Sequence, residues 1–464
     1  MEKFDVLIIG SGSGASIADA AISQGLKVAL VEKGDLGGTC LNRGCIPSKM
    51  VIYPADIIQT IKHAERLGVK AVIEDIDFAG IMERMRRSVG EDRRHIETGV
   101  VKIKGLKFFK GIAEFTGEYR IRVGSEEIEA KNIFLVVGAR PEIPDIVGLD
   151  KVSYLTSENV WELREKPASM IIAGGGFIAA EMAHFFSSMG TDVTIISRSP
   201  RLLRNAEPEI SETLTQSMRT RMTIVTSAEM TNVREAKGLK EVTYRDEKGE
   251  SRTVKAEQLL IAAGLRGNGD TLHAELTGVK VNPKGYIEVN DAFETGKPRI
   301  WAFGDCIGKA MFKHVANQAA EVVWHAFSHG HVHNFDFSKI PYAVFSWPEV
   351  ASIGLTEEEA LKQGKKILVG EAAYADTAYG ASMGEEDGFC KLIVEQENNK
   401  ILGCHIIGPY APILIQEVIN CMSCGDGGVF PLMDSMHIHP ALPEVVQRAT
   451  FTLHEHSSEH DHQH

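Results

Sequence analysis

Cys40 and Cys45 flank four residues in the stretch GGTCLNRGCIPSKM, near the start of a 464-residue chain. Two thiols that close can cycle between dithiol and disulfide, form half of a zinc site, or be two buried packing residues. No second pair lies nearby in the sequence to complete a zinc site, and unrelated packing thiols would leave the glycines around them unexplained. Redox use needs an electron source, so the flanking elements decide the matter.

Those elements begin at the N-terminus. FDVLIIG is a strand-like run that meets GSGSGAS, followed by an apolar-periodic segment ending at Gly25 and a second strand in KVALVEKG, a βαβ unit. Gly10 and Gly12 permit a tight turn and close approach of backbone to a pyrophosphate. Gly14 follows in the same loop, Ala15 fills the small third position where helix packs on strand, and the helix N-terminus adds N–H groups and positive dipole. Glu32, with Lys33 beside it, ends the second strand and can accept hydrogen bonds from an adenosine ribose.

The pattern recurs in ASMIIAGGGFIAAEMAHFFSSMGTDVTIISRSPRLLR, where Gly174, Gly176 and Ala179 repeat the spacing with Phe177 and Ile178 inside the turn. Two such units imply two dinucleotides. At the end of the second unit's second strand stands Ser197, not an acid, followed by Arg198, Arg201 and Arg204. Guanidinium groups suit a 2′-phosphate that a carboxylate would repel, so NADPH is expected over NADH, the plainer alternative being a solvated basic loop. By the same argument Glu32 suits the unphosphorylated ribose of FAD. Gly264 is a further cofactor-binding candidate.

Composition bounds the rest. With 44% hydrophobic residues the chain can bury about three domain cores. A net charge of −13, from 50 basic and 63 acidic residues, gives no general attraction to nucleic acid or anionic lipid. Seven cysteines, an odd number in a large chain, suit a reducing compartment. No signal peptide or apolar span is recognisable, so the cytoplasm is expected.

The expected fold is α/β: two Rossmann-like dinucleotide-binding domains and a C-terminal α+β dimerisation domain. The FAD domain is expected over 1–147 and 272–338, the NAD(P) domain over 148–271, and the dimerisation domain over 339–453. The His-rich tail 454–464 is expected to be disordered.

A chain holding a flavin and a nicotinamide passes hydride between them, and the flavin then needs an acceptor. Cys40 and Cys45 follow the flavin unit's second strand, and the helix-like segment GTCLNRGCIPSKMVIYPADIIQTI brings both sulfurs together across one turn. Disulfide reduction also needs an acid–base, which HIHPALPEVV supplies in His439 and Glu444, a histidine oriented by a carboxylate. The neighbouring His437 is expected to be an ordinary loop histidine.

On these motifs the whole chain resembles the class I flavoprotein disulfide reductases, the family of glutathione reductase, dihydrolipoamide dehydrogenase, mercuric reductase and mycothione reductase. The stretches IGSGSGASI, GGGFIAAEMAHFF, KHVANQAAEVV and IHPALPEVV are most similar to mycothione reductase. The resemblance implies that Cys40 attacks substrate, Cys45 lies against the flavin, and His439 with Glu444 acts across a homodimer interface on the partner's cysteines. It further implies that Lys49 and Glu181 form an ion pair beside the flavin, that Gly304 and Asp305 of WAFGDC hold the ribityl chain, and that Phe177 stands at a nicotinamide gate. Gly38, Thr39 and Gly138 complete the flavin set, although Val137 replaces the family's usual threonine before Gly138 and removes one hydroxyl contact.

The implied activity is FAD-dependent reduction of a small disulfide by NADPH, with no metal, membrane or nucleic-acid partner. The alternatives are a dihydrolipoamide dehydrogenase running the same steps backwards with NAD⁺, and a flavoprotein NAD(P)H oxidase or diaphorase. Cys306, Cys390 and Cys404 are expected to pack. Cys421 and Cys424 have redox or metal spacing, but are expected to be buried and unreactive.

Overall fold

The computed structural model describes residues 1–331 and 334–455. Apolar runs punctuated by glycine turns build the first sheet. β1 (Glu2–Ile9), α1 (Gly14–Ser23) and β2 (Val28–Glu32) form the expected βαβ unit. After α2 (Gly38–Asn42), α3 (Cys45–His63) and α4 (Phe78–Val100) come β3 (Leu106–Lys110), β4 (Ala113–Gly117), β5 (Arg120–Val123) and β6 (Glu126–Leu135). The strand order is β3-β2-β1-β6-β5-β4, parallel from β3 to β6. β1 and β2 are buried nearly throughout because helices cover a parallel sheet on both faces.

The chain leaves this sheet through β7 (Ala139–Pro141) and enters a second βαβ unit. It holds β8 (Ser169–Ala173), α5 (Phe177–Ser188), β9 (Asp192–Ile196), α6 (Pro208–Arg219) and β10 (Thr223–Val225). Three antiparallel strands follow, β11 (Glu229–Ala236), β12 (Leu239–Arg245) and β13 (Ser251–Ala256), then β14 (Gln258–Ile261) and β15 (Leu265–Gly267). The parallel order is β10-β9-β8-β14, and β15 pairs with β7 where the chain crosses back. β16 (Ile300–Ala302) then rejoins the first sheet beside β6, and α7 (Lys313–His329) follows.

The last unit is antiparallel: β17 (Tyr342–Val344), β18 (Val350–Gly354), α8 (Glu357–Lys362), β19 (Ile367–Ala373), α9 (Ala378–Ser382), β20 (Phe389–Glu395) and β21 (Ile401–Ile407). Helices α10 (Ala411–Ser423), α11 (Phe430–Asp434) and α12 (Glu444–Phe451) precede β22 (His454–Glu455). The order is β17-β18-β21-β20-β19-β22. The tail expected to be disordered from residue 454 begins with a strand instead, because His454 and Glu455 pair with Val369 and Leu368 and cover the open edge of β19. Residues 456–464 lie outside the described residues.

Two features fix the units to one another. One apolar cluster joins Val51, Ala55 and Ile58 of α3 to Met182, Phe185 and Phe186 of α5 and to Val344 and Val350 of the last sheet. Lys391 on β20, 1% exposed, reaches Glu207 at 2.7 Å and Glu209 at 2.9 Å across the boundary with the second unit, a buried charge that only its carboxylates make tolerable. No described helix is long and apolar enough to cross a membrane.

Candidate active site

The single helix expected to carry both thiols is two helices. α2 ends at Asn42 and Gly44 breaks the path at φ −128°, ψ −111°, where an added Cβ would meet the Thr39 carbonyl at 3.1 Å. This fold-back opens both thiols into one cavity and leaves Cys45 as the first residue of α3, where free N–H groups favour a thiolate. The Cys45 thiol is pulled down to about 7, chiefly by the Cys40 hydrogen bond and then by the Lys49 ammonium, against the cost of burial. Cys40 is pushed up by its bond to Cys45 and by burial. The pair therefore shares one proton near neutrality, with the negative charge on Cys45.

Lys49 lies one turn along α3. Its Nζ is 2.8 and 2.9 Å from the two carboxylate oxygens of Glu181 on α5, which also accepts the Phe345 N–H at 3.1 Å. Burial raises Glu181 while Lys49 holds it down. Two more rungs follow along the same helix pair: His184 Nε2 to Asp56 at 2.7 Å, and Gln59 Nε2 to Ser188 Oγ at 2.8 Å. The α3 residues 49, 56 and 59 each meet an α5 residue, so the helix that starts at the thiols is registered against the second unit by polar contacts that tolerate little sliding.

Both thiols open into a cavity of about 770 Å³. Gly10, Gly12, Glu32, Lys33, Gly38, Thr39, Gly138, Gly304 and Asp305 line it, together with Lys49, Phe177, Ile178 and Glu181. Gly10, at φ +109°, approaches the end of the neighbouring strand so closely that a Cβ would stand 2.1 Å from the Val136 carbonyl, and a Cβ on Gly38 would stand 2.7 Å from Gly12 Cα. Glu32 is held by the Ser11 N–H at 2.9 Å, the Ser11 hydroxyl at 2.8 Å and the Gly34 N–H at 2.8 Å. Burial pushes Asp305 up to about 6, opposed by Lys313. This glycine-floored cavity, with a carboxylate at the end of β2, fits a dinucleotide such as FAD.

One loop assignment is corrected. Ala15 is exposed and lies outside the cavity lining; the close helix–strand contact belongs to Gly14, whose added Cβ would meet Ile8 Cγ2 at 2.7 Å. The sequence spacing marks the loop but not which of two adjacent small residues faces inward.

The second loop repeats the first. Gly174 has φ +132°, and a Cβ there would stand 2.1 Å from the Ala262 carbonyl, as Gly10 does against Val136. Gly174, Gly176, Gly264, Arg198 and Arg204 lie outside the large cavity, which the second loop joins only through Phe177 and Ile178. Arg198 and Arg204 are exposed and Arg201 is half-buried. Among the described residues none of the three arginines makes an ion pair or a side-chain hydrogen bond, and the buried Nε of Arg201 has no partner.

His439 Nδ1 lies 2.9 Å from Glu444 Oε1, and Glu444 Oε2 accepts the Ala441 N–H at 3.1 Å. The hydrogen bond to His439 lowers the Glu444 carboxyl, so the imidazole faces a carboxylate. His439 is not among the cavity residues of its own chain, and its side chain is 69% exposed. His437 is tied to Ser435 O and Glu417 at 3.0 and 3.2 Å.

Among the other thiols, Cys306, Cys390 and Cys404 are buried, whereas Cys424, expected to be buried, is exposed because it caps α10. Sequence reasoning gave no role to Ser13, Lys313 or Phe345, or to the face of α10 formed by Pro412, Ile415, Gln416 and Ile419, all of which line the cavity. The helical spacing of the α10 residues was the available signal. The other three have none.

The family profile described as pyridine nucleotide-disulphide oxidoreductase matches residues 4–320, and the dimerisation domain of the same family matches residues 340–450. Mycothione reductase of Mycobacterium tuberculosis is 36% identical, covering 98% of this chain and 100% of its own. Dihydrolipoyl dehydrogenase of Chlorobaculum parvum is 34% identical, covering 97% of each. Among solved structures, the HOCl-induced flavoprotein disulfide reductase RclA from Escherichia coli, as its Cu(II) complex, superposes with a TM-score of 0.87 at 26% identity over 97% of this chain and 100% of that one.

Proposed function

We propose, since this chain belongs to the pyridine nucleotide-disulphide oxidoreductase family, that it reduces a low-molecular-weight disulfide at the expense of NADPH through the Cys40–Cys45 pair. The family's cofactors are FAD and a pyridine nucleotide. We assign FAD to residues 1–147 with 272–338 and NADPH to 148–271. The observation that carries the reading is the thiol pair itself: one sulfur depressed to about 7 at a helix start, in the cavity floored by Gly10 and Gly38.

FAD, when bound, supplies the two-electron link between nicotinamide and sulfur. The chain's own residues do the rest. Opening of the disulfide leaves Cys45 as thiolate, favoured by the Cys40 hydrogen bond, by Lys49 and by the start of α3. Cys40 passes its proton to His439 of the partner subunit as its sulfur attacks one sulfur of the substrate disulfide. The other substrate sulfur leaves and takes its proton from His439 of the partner subunit, whose imidazolium Glu444 stabilises. Cys45 thiolate then attacks Cys40, restoring the disulfide and releasing the second substrate sulfur as a thiolate that takes up the proton from solution. In sum, NADPH, one proton and one disulfide give NADP⁺ and two thiols. The cytoplasm is the compartment this reading implies, and the likeness to mycothione reductase makes the disulfide that enzyme is named for the first substrate to try.

The test is anaerobic titration with NADPH followed by turnover on mycothione, glutathione disulfide and lipoamide. A long-wavelength band from a thiolate beside an oxidised flavin is expected. The band needs the deprotonated form of a thiol whose pKa is lowered, so it persists above about pH 7 and fades as pH falls through that value. Bleaching of the flavin with no such band would sink the thiol assignment.

The choice of nicotinamide rests on Arg198, Arg201 and Arg204 after Ser197, where a dihydrolipoamide dehydrogenase would carry an acid. Replacing Arg198 and Arg204 with Ala together should raise the KM for NADPH by roughly 10- to 100-fold and leave that for NADH within about twofold, since each phosphate contact removed is charge-assisted. An equal rise for both nucleotides contradicts the phosphate-clamp assignment.

A further inference from the structure

Residues 436–439 alternate in exposure. Met436 is 99% exposed, Ile438 78% and the His439 side chain 69%, but the His437 side chain between them is only 6% exposed. Its ring is held at both nitrogens: Nδ1 lies 3.0 Å from the carbonyl oxygen of Ser435, and Nε2 lies 3.2 Å from Oε2 of Glu417 on α10. A carbonyl only accepts, so Nδ1 carries a hydrogen. The Nε2 contact then needs a second hydrogen, owned by the imidazole or by the carboxyl. The pair is complete only as imidazolium with carboxylate or as imidazole with carboxylic acid.

Glu417 has no alternative. Among the described residues His437 is its one ion-pair partner, and its Oε1 is buried with no hydrogen-bond partner. Burial raises the Glu417 carboxyl and His437 opposes the rise. Cys421, one turn further along α10, is raised by burial and by Glu417, so it stays a neutral thiol. A buried carboxyl with a single partner is costly to strand, which makes this contact the firm point of the loop. The loop's other tether is backbone: Gln447 on α12 donates to the carbonyls of Met433 and Ser435 at 3.3 and 3.1 Å, the second being the carbonyl that His437 also uses.

His439 follows two residues later. Its 2.9 Å contact with Glu444 orients the imidazole, but the path of the chain that delivers it is set where His437 turns inward. We propose that Glu417 and His437 form a positioning pair for the acid–base, anchoring to α10 the loop that presents His439 to the thiols of the partner subunit. This role rests on the disulfide-reductase reading above. Another face of α10, with Pro412, Ile415, Gln416 and Ile419, lines the cavity of its own chain. One helix therefore walls one dithiol site and anchors the acid–base of the other. Glu417 and His437 move no proton in the cycle; they act through the placement of His439, where a displacement of about 1 Å costs on the order of 10²-fold.

The experiment compares turnover of two disulfides by the holoenzyme. One is the alkyl disulfide that the parent reduces fastest among mycothione, glutathione disulfide and lipoamide, whose leaving thiol needs a proton from His439. The other is the aryl disulfide dithiobis(nitrobenzoic acid), whose acidic thiol leaves without one. In Glu417→Leu, alkyl turnover should fall by roughly 10- to 100-fold and the alkyl-to-aryl rate ratio by about tenfold, while flavin reduction by NADPH and the long-wavelength band keep their parental values. Glu417→Gln should stay within about threefold of the parent, because its amide N–H can donate to Nε2 of a neutral His437 and needs no extra proton. Added to His439→Gln, Glu417→Leu should cost nothing more, since no acid–base is left to place.

An unchanged alkyl rate in Glu417→Leu, an equal loss on both disulfides, or slowed reduction by NADPH overturns the positioning role. A Gln variant as slow as the Leu one, or an additive loss in the His439→Gln background, overturns it as well. Any of these results with a normal band in the parent sinks the pair alone. A parent with no band and no disulfide turnover sinks the disulfide-reductase reading, and this role with it.

Discussion

Cys40→Ser should lose turnover of every disulfide by roughly 10³-fold or more, a loss of about 4 kcal/mol of transition-state stabilisation, because no other thiol of the cavity can form the mixed disulfide. Among the described residues Cys40 and Cys45 are the only cysteines lining it. The same variant has a second, opposite expectation. Cys45 can no longer be tied up in a disulfide, so its thiolate should be present without any reductant, and the long-wavelength band should be visible in the untreated protein above about pH 7. The serine hydroxyl can still donate to the sulfur, so the midpoint should stay near that value. Rapid-scan absorbance and steady-state turnover check both halves. Retained disulfide turnover would remove Cys40 from its role, and a silent spectrum would remove Cys45 from the flavin.

His439→Gln should slow disulfide turnover by roughly 10²- to 10⁴-fold, the usual worth of a positioned acid–base, while leaving the rate of reduction by NADPH unchanged. The split follows from geometry: His439 pairs with Glu444 at 2.9 Å and is not among the residues that line the cavity of its own chain, so it has nothing to do in the nicotinamide half of the cycle. Subunit mixing makes the claim sharper. In a heterodimer of one Cys40→Ser and one His439→Gln subunit, a site built from both chains leaves one complete centre, with the cysteines of the second chain and the histidine of the first. Such a heterodimer should recover about half the parental activity per dimer. A site built within one chain would leave the same heterodimer inactive, and that result would overturn the shared-site assignment.

Several parts of this site were legible because local sequence suffices to specify them. A glycine that must approach a neighbouring carbonyl leaves its mark in the chain, and Gly10 and Gly174 do so at the same relative position in two units, each with a collision distance of 2.1 Å for any Cβ. The absence of an acid at Ser197 and the partnership of His439 with Glu444, five residues apart, are likewise local. Adjacent alternatives were harder. Gly14 and Ala15 are both small and both follow the loop, and only packing against Ile8 distinguishes them. The break at Gly44 was missed because GTCLNRGCIPSKM has helical residues on both sides of it, and nothing in their types says that the chain doubles back there. Cys424 was misjudged for the opposite reason: the apolar helix before it suggested burial, but the helix ends one residue earlier.

By itself the sequence determined the chemistry available to this protein: two nucleotide loops, a thiol pair, a histidine with its carboxylate, and three arginines where an acid would otherwise stand. Each is specified by residue types within a few positions of one another, where chain connectivity alone keeps the groups together. Only the tertiary structure decided how that chemistry is divided. It put Cys45 rather than Cys40 at a helix start, compensated Lys49 with Glu181 across 132 positions of sequence, and left His439 exposed and outside the cavity lining of its own chain. Charge and burial act through space, so a residue's electrostatic state depends on neighbours hundreds of positions away that the linear chain does not announce.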